Sequence, residues 1–128
     1  MASRRITITF LGTCPARGEL TLVSRRIGSP MRTARITATF PVGTLNLLAL
    51  TPYASEDETA PTTGPPSGLA LLQQHSPMSY LVGDGEQVRL EHQVDIPESG
   101  TWLKIYATNT DFYDHQVNAQ IEIDLNPE

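Results

Sequence analysis

The segment Thr108–Asn118, TNTDFYDHQVN, concentrates Asn109, Asp111, Asp114 and His115. Carboxylates and an imidazole this close together have the chemistry to ligate a cation or to move a proton. A Ca²⁺ loop needs oxygen ligands at alternating positions, a Gly where the chain turns sharply and a closing Glu. Asn109 and Asp111 alternate, but neither the Gly nor the Glu follows. A Zn²⁺ site needs several His or Cys ligands, and His75 and His92 lie far off along the chain. Asn and Asp also end strands by hydrogen-bonding the backbone in Asx-turns, and Phe112 and Tyr113 are suited to anchor such a turn against neighbouring strands. The segment is read as a structured turn. Weak metal binding by Asn109, Asp111, Asp114 and His115 stays open, while a tight metal, a cofactor and a catalytic residue are not expected.

Other chemical signatures point the same way. The chain has no Gly-rich phosphate loop, no Gly-x-Ser-x-Gly elbow and no His-Glu-x-x-His. Cys14 is the single cysteine, beside Pro15 and with no His near it in sequence. A nucleophilic role needs a lowered thiol pKa, so Cys14 reads as a small apolar filler. His92 alternates with apolar residues and reads as a core or interface histidine.

The elements that must carry these residues are strands. Ile6, Ile8 and Phe10 alternate with threonines, as do Ala34, Ile36, Ala38 and Phe40 with Arg35, Thr37 and Thr39. Val88 to Ile96 and Val117 to Leu125 alternate in the same way, the signature of strands with one wet and one buried face. Leu20 and Leu22 follow the Pro15–Gly18 turn. Leu45–Tyr53 and Trp102–Thr108 are more continuously apolar, as in strands covered on both sides. Met78–Val82 is a shorter candidate, and Gly68–Gln74 has the pattern of a single helical turn. Asp84-Gly85 reads as a hairpin turn. The 128 residues therefore predict one all-β domain, an antiparallel β-sandwich of about eight strands wound like a jelly roll. Ile36, Leu90, Val94, Ile121 and Ile123 are expected in its core. No stretch approaches 18 apolar residues, so no membrane span is expected. The alternating segment after the basic start lacks the apolar run of a signal peptide.

Charge is unevenly placed. The first 35 residues hold seven arginines and one acid, Glu19, a net of +6, whereas the remaining 93 hold two bases and thirteen acids, a net of −11. Either the two parts interleave in the fold, or the subunit docks its basic end on an acidic neighbour. The adjacent pairs Arg4, Arg5 and Arg25, Arg26 are the candidate contacts. Their candidate acceptors are Glu56, Asp57 and Glu58 in the Pro-rich, acidic stretch 54–68, a loop long enough to be a solvated flap or an arm that orders against a partner. An acidic chain whose basic segment has few aromatics does not suit nucleic acid. Trp102, Lys104 and Tyr106 share one strand face and read as a carbohydrate-binding stripe or an interface. A core role for that face is disfavoured because it buries Lys104.

The stretches ITATFPVGTLNLLALTP and SPMSYLVGDGEQVRLEHQVDIPESGTWLKIYATNTDFYDHQVNAQIEI are similar to small β-sandwich virion proteins of tailed bacteriophages. The likeness covers about residues 34–125. It rests on the Phe40-Pro41-Val42-Gly43 turn, the Gly-Asp turn and the turn with Asn109, Asp111, Tyr113 and His115. It implies a capsid decoration or accessory subunit that is oligomeric and non-enzymatic, assembled in a host cytoplasm. Its partners would be its own copies, as a dimer or trimer, or a larger capsid lattice. The competing reading is a carbohydrate-binding module using Trp102 and Tyr106.

Overall fold

The computed structural model describes residues 4–61, 64–72, 80–91 and 93–126. Among the described residues nine strands run in chain order: β1 (Arg4–Cys14), β2 (Glu19–Val23), β3 (Met31–Phe40), β4 (Leu48–Ser55), β5 (Leu69–Ala70), β6 (Glu86–Glu91), β7 (Asp95–Ile96), β8 (Trp102–Asn109) and β9 (His115–Leu125). They form two antiparallel sheets. One has the order β1-β9-β3-β6, with β7 also on β3, and the other the order β2-β8-β4-β5. If β6 and β7 count as one interrupted strand, the first strand pairs with the last, the second with the second-last, and so on inward to β4 with β5. This is jelly-roll winding, a long hairpin folded over on itself.

Alternation places the core as expected. Ile8 and Phe10 of β1, Ile36, Ala38 and Phe40 of β3, and Val117, Ala119, Ile121 and Ile123 of β9 are buried against Leu48, Leu50, Leu103, Ile105 and Ala107 of the other sheet. Val94 is buried as well, and Leu90 packs on the cluster while partly exposed.

Three local readings need correction. The strand read over Val88–Ile96 is broken into β6 and β7, since the pairing moves from Arg35↔Glu91 to Arg32↔Asp95 and four steps of it face three of β3, beside a bulge that β3 carries between Thr33 and Arg35 in its ladder with β9. The extra residue there switches the buried parity from Met31 and Thr33 to Ile36, Ala38 and Phe40, so Ala34 turns away from the core position its alternation suggested. The Asp84-Gly85 turn does not close a hairpin. Leu81 bridges Leu50 in one sheet while β6 pairs with β3 in the other, so the turn is a crossing between sheets, with Gly85 at φ 61. Leu69–Ala70, read as part of a helical turn, is a strand beside Tyr53 and Ala54. Met78, His75 and His92 lie outside the described residues.

Pro52 shows how β4 tolerates a proline. Leu50 exchanges backbone hydrogen bonds with Leu81 on the side away from β8, and the carbonyl of Pro52 accepts from the Leu71 amide on that same side. The missing N–H of Pro52 therefore points to the side of Leu81 and β5 and not into the β8 ladder, so no bond of that ladder is lost.

Candidate functional site

The turn between β8 and β9 sits on the turn between β1 and β2. Asn109, the last residue of β8, is 2 % exposed. Its side-chain amide donates to the carbonyls of Tyr113 at 2.7 Å, Pro15 at 3.3 Å and Cys14 at 3.4 Å, and its Oδ1 accepts from the Asp111 amide at 2.9 Å. Asp114 Oδ1 accepts from the Ala16 amide at 2.7 Å, and the Arg17 amide donates to the Asp111 carbonyl. Asp111 Oδ2 lies 2.8 Å from His115 Nε2, while its Oδ1 accepts from the Phe112 amide. The imidazole hydrogen bond, then that amide, holds the Asp111 carboxyl below its ordinary range. Among the described residues no group of three or more His, Cys, Asp or Glu is arranged to hold a metal ion. The donors and acceptors of the cluster are turned on one another and on backbone, the arrangement of a structured turn.

The fold makes one juxtaposition that the sequence concealed. Cys14 and His115 are cross-strand partners in the β1–β9 ladder, and His115 holds Asp111, so a cysteine stands across the ladder from an imidazole that holds a carboxylate. The electrostatics run against nucleophilic chemistry. The Cys14 thiol is fully buried and donates weakly to the carbonyls of Gly18 and Ala107. Desolvation first, then the charges of Glu19 and Asp114, push it up to about 11, whereas a reactive cysteine needs the opposite shift. The concavity beside this turn, about 580 Å³, is lined by Pro15, Arg17, Gly18, Glu19, Thr108, Asn109 and Thr110, without Asp111 or His115.

Phe112 and Tyr113 do not anchor the turn. Each is 73 % exposed, and the Arg17 guanidinium rides over the Phe112 ring at 5.1 Å. They share the loop end of the sandwich with the β3–β4 connection, where Val42 is 89 % and Leu45 62 % exposed. Hydrogen bonds stitch these loops together. Both the amide and the hydroxyl of Thr110 donate to the Leu47 carbonyl, Asn46 donates to Gly83, and the Gly43 amide donates to Asp84. Buried Thr44 fixes the loop from within through the carbonyls of Pro41 and Gly83. Leu45 and Asn46 are held at φ 51 and φ 61, a left-handed conformation uncommon for leucine. The apolar spacing of this loop had suggested a strand start, so its exposed tip went unseen.

The opposite readings of Lys104 and of stretch 54–68 resolve together. Lys104 is fully buried, although it does not point into the core. The stretch folds back over the outer face of the β2-β8-β4 sheet, where Lys104 Nζ donates to Asp57 Oδ1 at 2.9 Å and to the Thr59 carbonyl at 2.7 Å. The Lys104 hydrogen bond chiefly, with the Thr59 amide and Ser67, lowers the Asp57 carboxyl to about 2. Glu19 holds a second point, accepting from the Gly64 amide at 2.7 Å and from the Tyr106 hydroxyl. Burial and that carboxylate push the Tyr106 phenol up to about 12. β8 is thus covered on both faces, as its apolar run suggested, and Trp102 and Tyr106 are half-buried rather than an open stripe. Glu56 and Glu58 remain exposed beside Asp57.

The arginines divide likewise. Arg5 makes a two-pronged contact with Asp124, with Nε at 2.8 Å and Nη2 at 3.1 Å, while Arg32 pairs with Asp95 and Arg35 with Glu91 and Glu122. Arg4, Arg25 and Arg26 are exposed with no carboxylate at ion-pair distance among the described residues.

No family model matches the chain, and no curated protein matches it. Solved structures with a similar strand arrangement include chains of infectious bursal disease virus. The Gt strain chain is 12% identical with TM-score 0.42, covering 96% of this chain and 33% of that one. The Gx strain chain is 13% identical with TM-score 0.45, covering 96% and 32%. The Yersinia pseudotuberculosis-derived mitogen is 13% identical with TM-score 0.43, covering 96% and 88%. This chain spans about a third of the length of the two virus chains. Likeness of this degree carries no inference about what the chain does.

Proposed function

We propose that this chain is a non-enzymatic structural subunit that docks on a larger protein assembly, such as a virion, through the loop end of its sandwich. The observation that carries the reading is the set of exposed Val42, Leu45, Phe112 and Tyr113 on loops locked to one another by hydrogen bonds. Exposed apolar side chains grouped on a rigid frame are characteristic of protein-binding surfaces, and aromatic residues supply their anchors. Exposed Asp84, Glu86 and Asp114 at the same end favour a protein partner over anionic lipid or nucleic acid. Jelly rolls serve in viral capsid and lectin domains alike, and fold alone does not choose between them. The closed flap over Lys104 and Tyr106 favours the capsid-type role over the carbohydrate-binding one.

The test uses particles purified from the organism that carries the gene. The chain should be present in stoichiometric copies, and a Val42→Asp/Phe112→Asp variant with unchanged circular dichroism should be absent from them. Particles lacking the native chain would refute the virion role, and undiminished incorporation of the variant would refute the loop end. Glycan binding that is lost in Trp102→Ala would restore the carbohydrate reading.

A further inference from the structure

We infer that the free edge of β1 is a self-pairing interface, joining two copies of this chain about a two-fold axis that passes at Thr9. Sheet edges present unpaired N–H and C=O groups, and proteins blunt them with short strands, charges, proline or bulges. The other edges are blunted. β5 has two residues, β2 has five and begins at the engaged Glu19, and β6 carries Glu86, Arg89 and Glu91 in six residues. β1 has eleven residues, pairs among the described residues with β9 on one side only, and shows no bulge in that ladder. From Ile6 to Cys14 it holds no charge and no proline, and its outward residues Thr7, Thr9, Leu11 and Thr13 are exposed. Leu11 is 67 % exposed above a depression it shares with Gly12, Thr13, Gln116, Val117 and Asn118.

The strand is complementary to itself only when antiparallel. The register that uses all of Arg4–Cys14 puts Thr9 opposite Thr9, Thr7 opposite Leu11 and Arg5 opposite Thr13 of the second copy. On the core side it puts Ile8 opposite Phe10 and Ile6 opposite Gly12. The arginines then fall at opposite ends of the ladder, whereas parallel pairing would stack them. Residues directly opposite share a face of the joined sheet, so each apolar row continues across the axis. A contact in which one patch meets itself is the isologous interface of a two-fold dimer.

This inference stands apart from the docking end, because β1 contributes nothing to Val42, Leu45, Phe112 or Tyr113. The test measures mass by sedimentation equilibrium over a concentration series. The native chain should dimerise. Thr9→Lys and Thr9→Asp each place like charges at the axis and should weaken association about a hundredfold or more, with circular dichroism unchanged. An equimolar mixture of the two should regain the dimer, since unlike charges then meet across the axis. Where position 9 disturbs folding, Thr7→Lys/Leu11→Lys and Thr7→Asp/Leu11→Asp repeat the test at the neighbouring outward pairs, since each double variant sets like charges opposite in its own dimer and unlike charges in the mixture. The Val42→Asp/Phe112→Asp variant should dimerise as the native chain does. A native chain that stays monomeric at every concentration overturns the inference, as does a Thr9→Lys dimer of native affinity or a mixture that fails to recover.

Discussion

Replacing Asn109 tests whether the cluster between β8 and β9 is a structural joint. Its side chain makes two well-formed hydrogen bonds, at 2.7 Å to Tyr113 O and 2.9 Å from the Asp111 amide, and two longer ones at 3.3 and 3.4 Å. A hydrogen bond contributes about 1 kcal/mol net, and a buried group left without a partner costs about 1–3 kcal/mol. Asn109→Ala removes all four, and loop carbonyls regain some water, so a loss of about 2–4 kcal/mol is expected. With a urea slope of about 2 kcal/mol per molar, the unfolding midpoint should fall by about 1–2 M.

Asn109→Asp is the sharper variant. It keeps the shape and the acceptor, but it turns a carboxylate oxygen toward three carbonyls and should cost at least as much as alanine at neutral pH. Burial without a donor raises the native-state pKa of such a carboxyl, so its deficit should shrink as pH falls and a proton returns a donor. The alanine variant should show no such recovery. An Asn109→Asp variant as stable as the native protein at neutral pH would refute the reasoning. So would a midpoint of the native chain that rises with Ca²⁺, since a ligand held by the native state adds directly to stability.

Lys104→Met leaves Asp57 and the Thr59 carbonyl without their donor, and Asp57→Lys sets two cations together; removing one side of such a pair is destabilising, so both should open the flap, read as protease cleavage within residues 56–67. Asp57 has a carboxyl lowered to about 2, so its contribution is complete above the ordinary carboxylate range and lost as pH falls through about 2, and cleavage should rise in that window. Gly68→Ala should destabilise by at least about 1–3 kcal/mol of backbone strain, since Gly68 is at φ 129 and a Cβ would lie 2.4 Å from the Ala54 carbonyl oxygen; Gly64→Ala, at φ 78 with open space, should cost less in the same urea titration. Cys14, with its thiol raised to about 11, should react with a disulfide reagent at pH 8 only as fast as the chain unfolds, and rapid native-state labelling would contradict its burial.

Legibility followed the range of the interactions. Period-two alternation is local, so β1, β3 and β9 could be read from spacing, and with them Ile36, Ile121 and Ile123 as core, while β8 was legible as a continuous apolar run. The bulge at Ala34 could not, because it answers to the ladder of β3 on β9, a neighbour distant in sequence. The burial of Lys104 on the outer face was hidden for a similar reason. Charge argued against burial until Asp57 and the Thr59 carbonyl, 47 and 45 residues away, arrived as partners. The Cys14–His115 juxtaposition is a consequence of pairing the first strand with the last. The turn at Asn109–His115 was legible because Asx chemistry is local, whereas the outward aim of Phe112 and Tyr113 depends on which loops surround them.

The winding also decides what the uneven charge does. Because the first strand pairs with the last and the third lies between β9 and β6, the arginine-rich start is threaded among the acidic later strands. Across the outer face one row reads Arg5, Asp124, Arg32, Asp95, and the next reads Thr7, Glu122, Arg35, Glu91. Signs alternate within the molecule, so the separation seen along the sequence largely disappears in space. Each exposed pair contributes little to stability, but together they specify register, since a one-residue slip would turn Arg5, with Thr7 and Thr9, toward the core side. Of the surfaces left for partners, the β1 edge is uncharged from Ile6 to Cys14, whereas Asp84, Glu86 and Asp114 stand at the loop end. Association through the β1 edge should therefore hold or strengthen as salt is raised, because screening acts on exposed charges while excluded salts favour apolar burial. Association led by Arg4, Arg25 and Arg26 on Glu56 and Glu58 would instead weaken steadily with salt, and light scattering across a salt series separates the two by the sign of the slope.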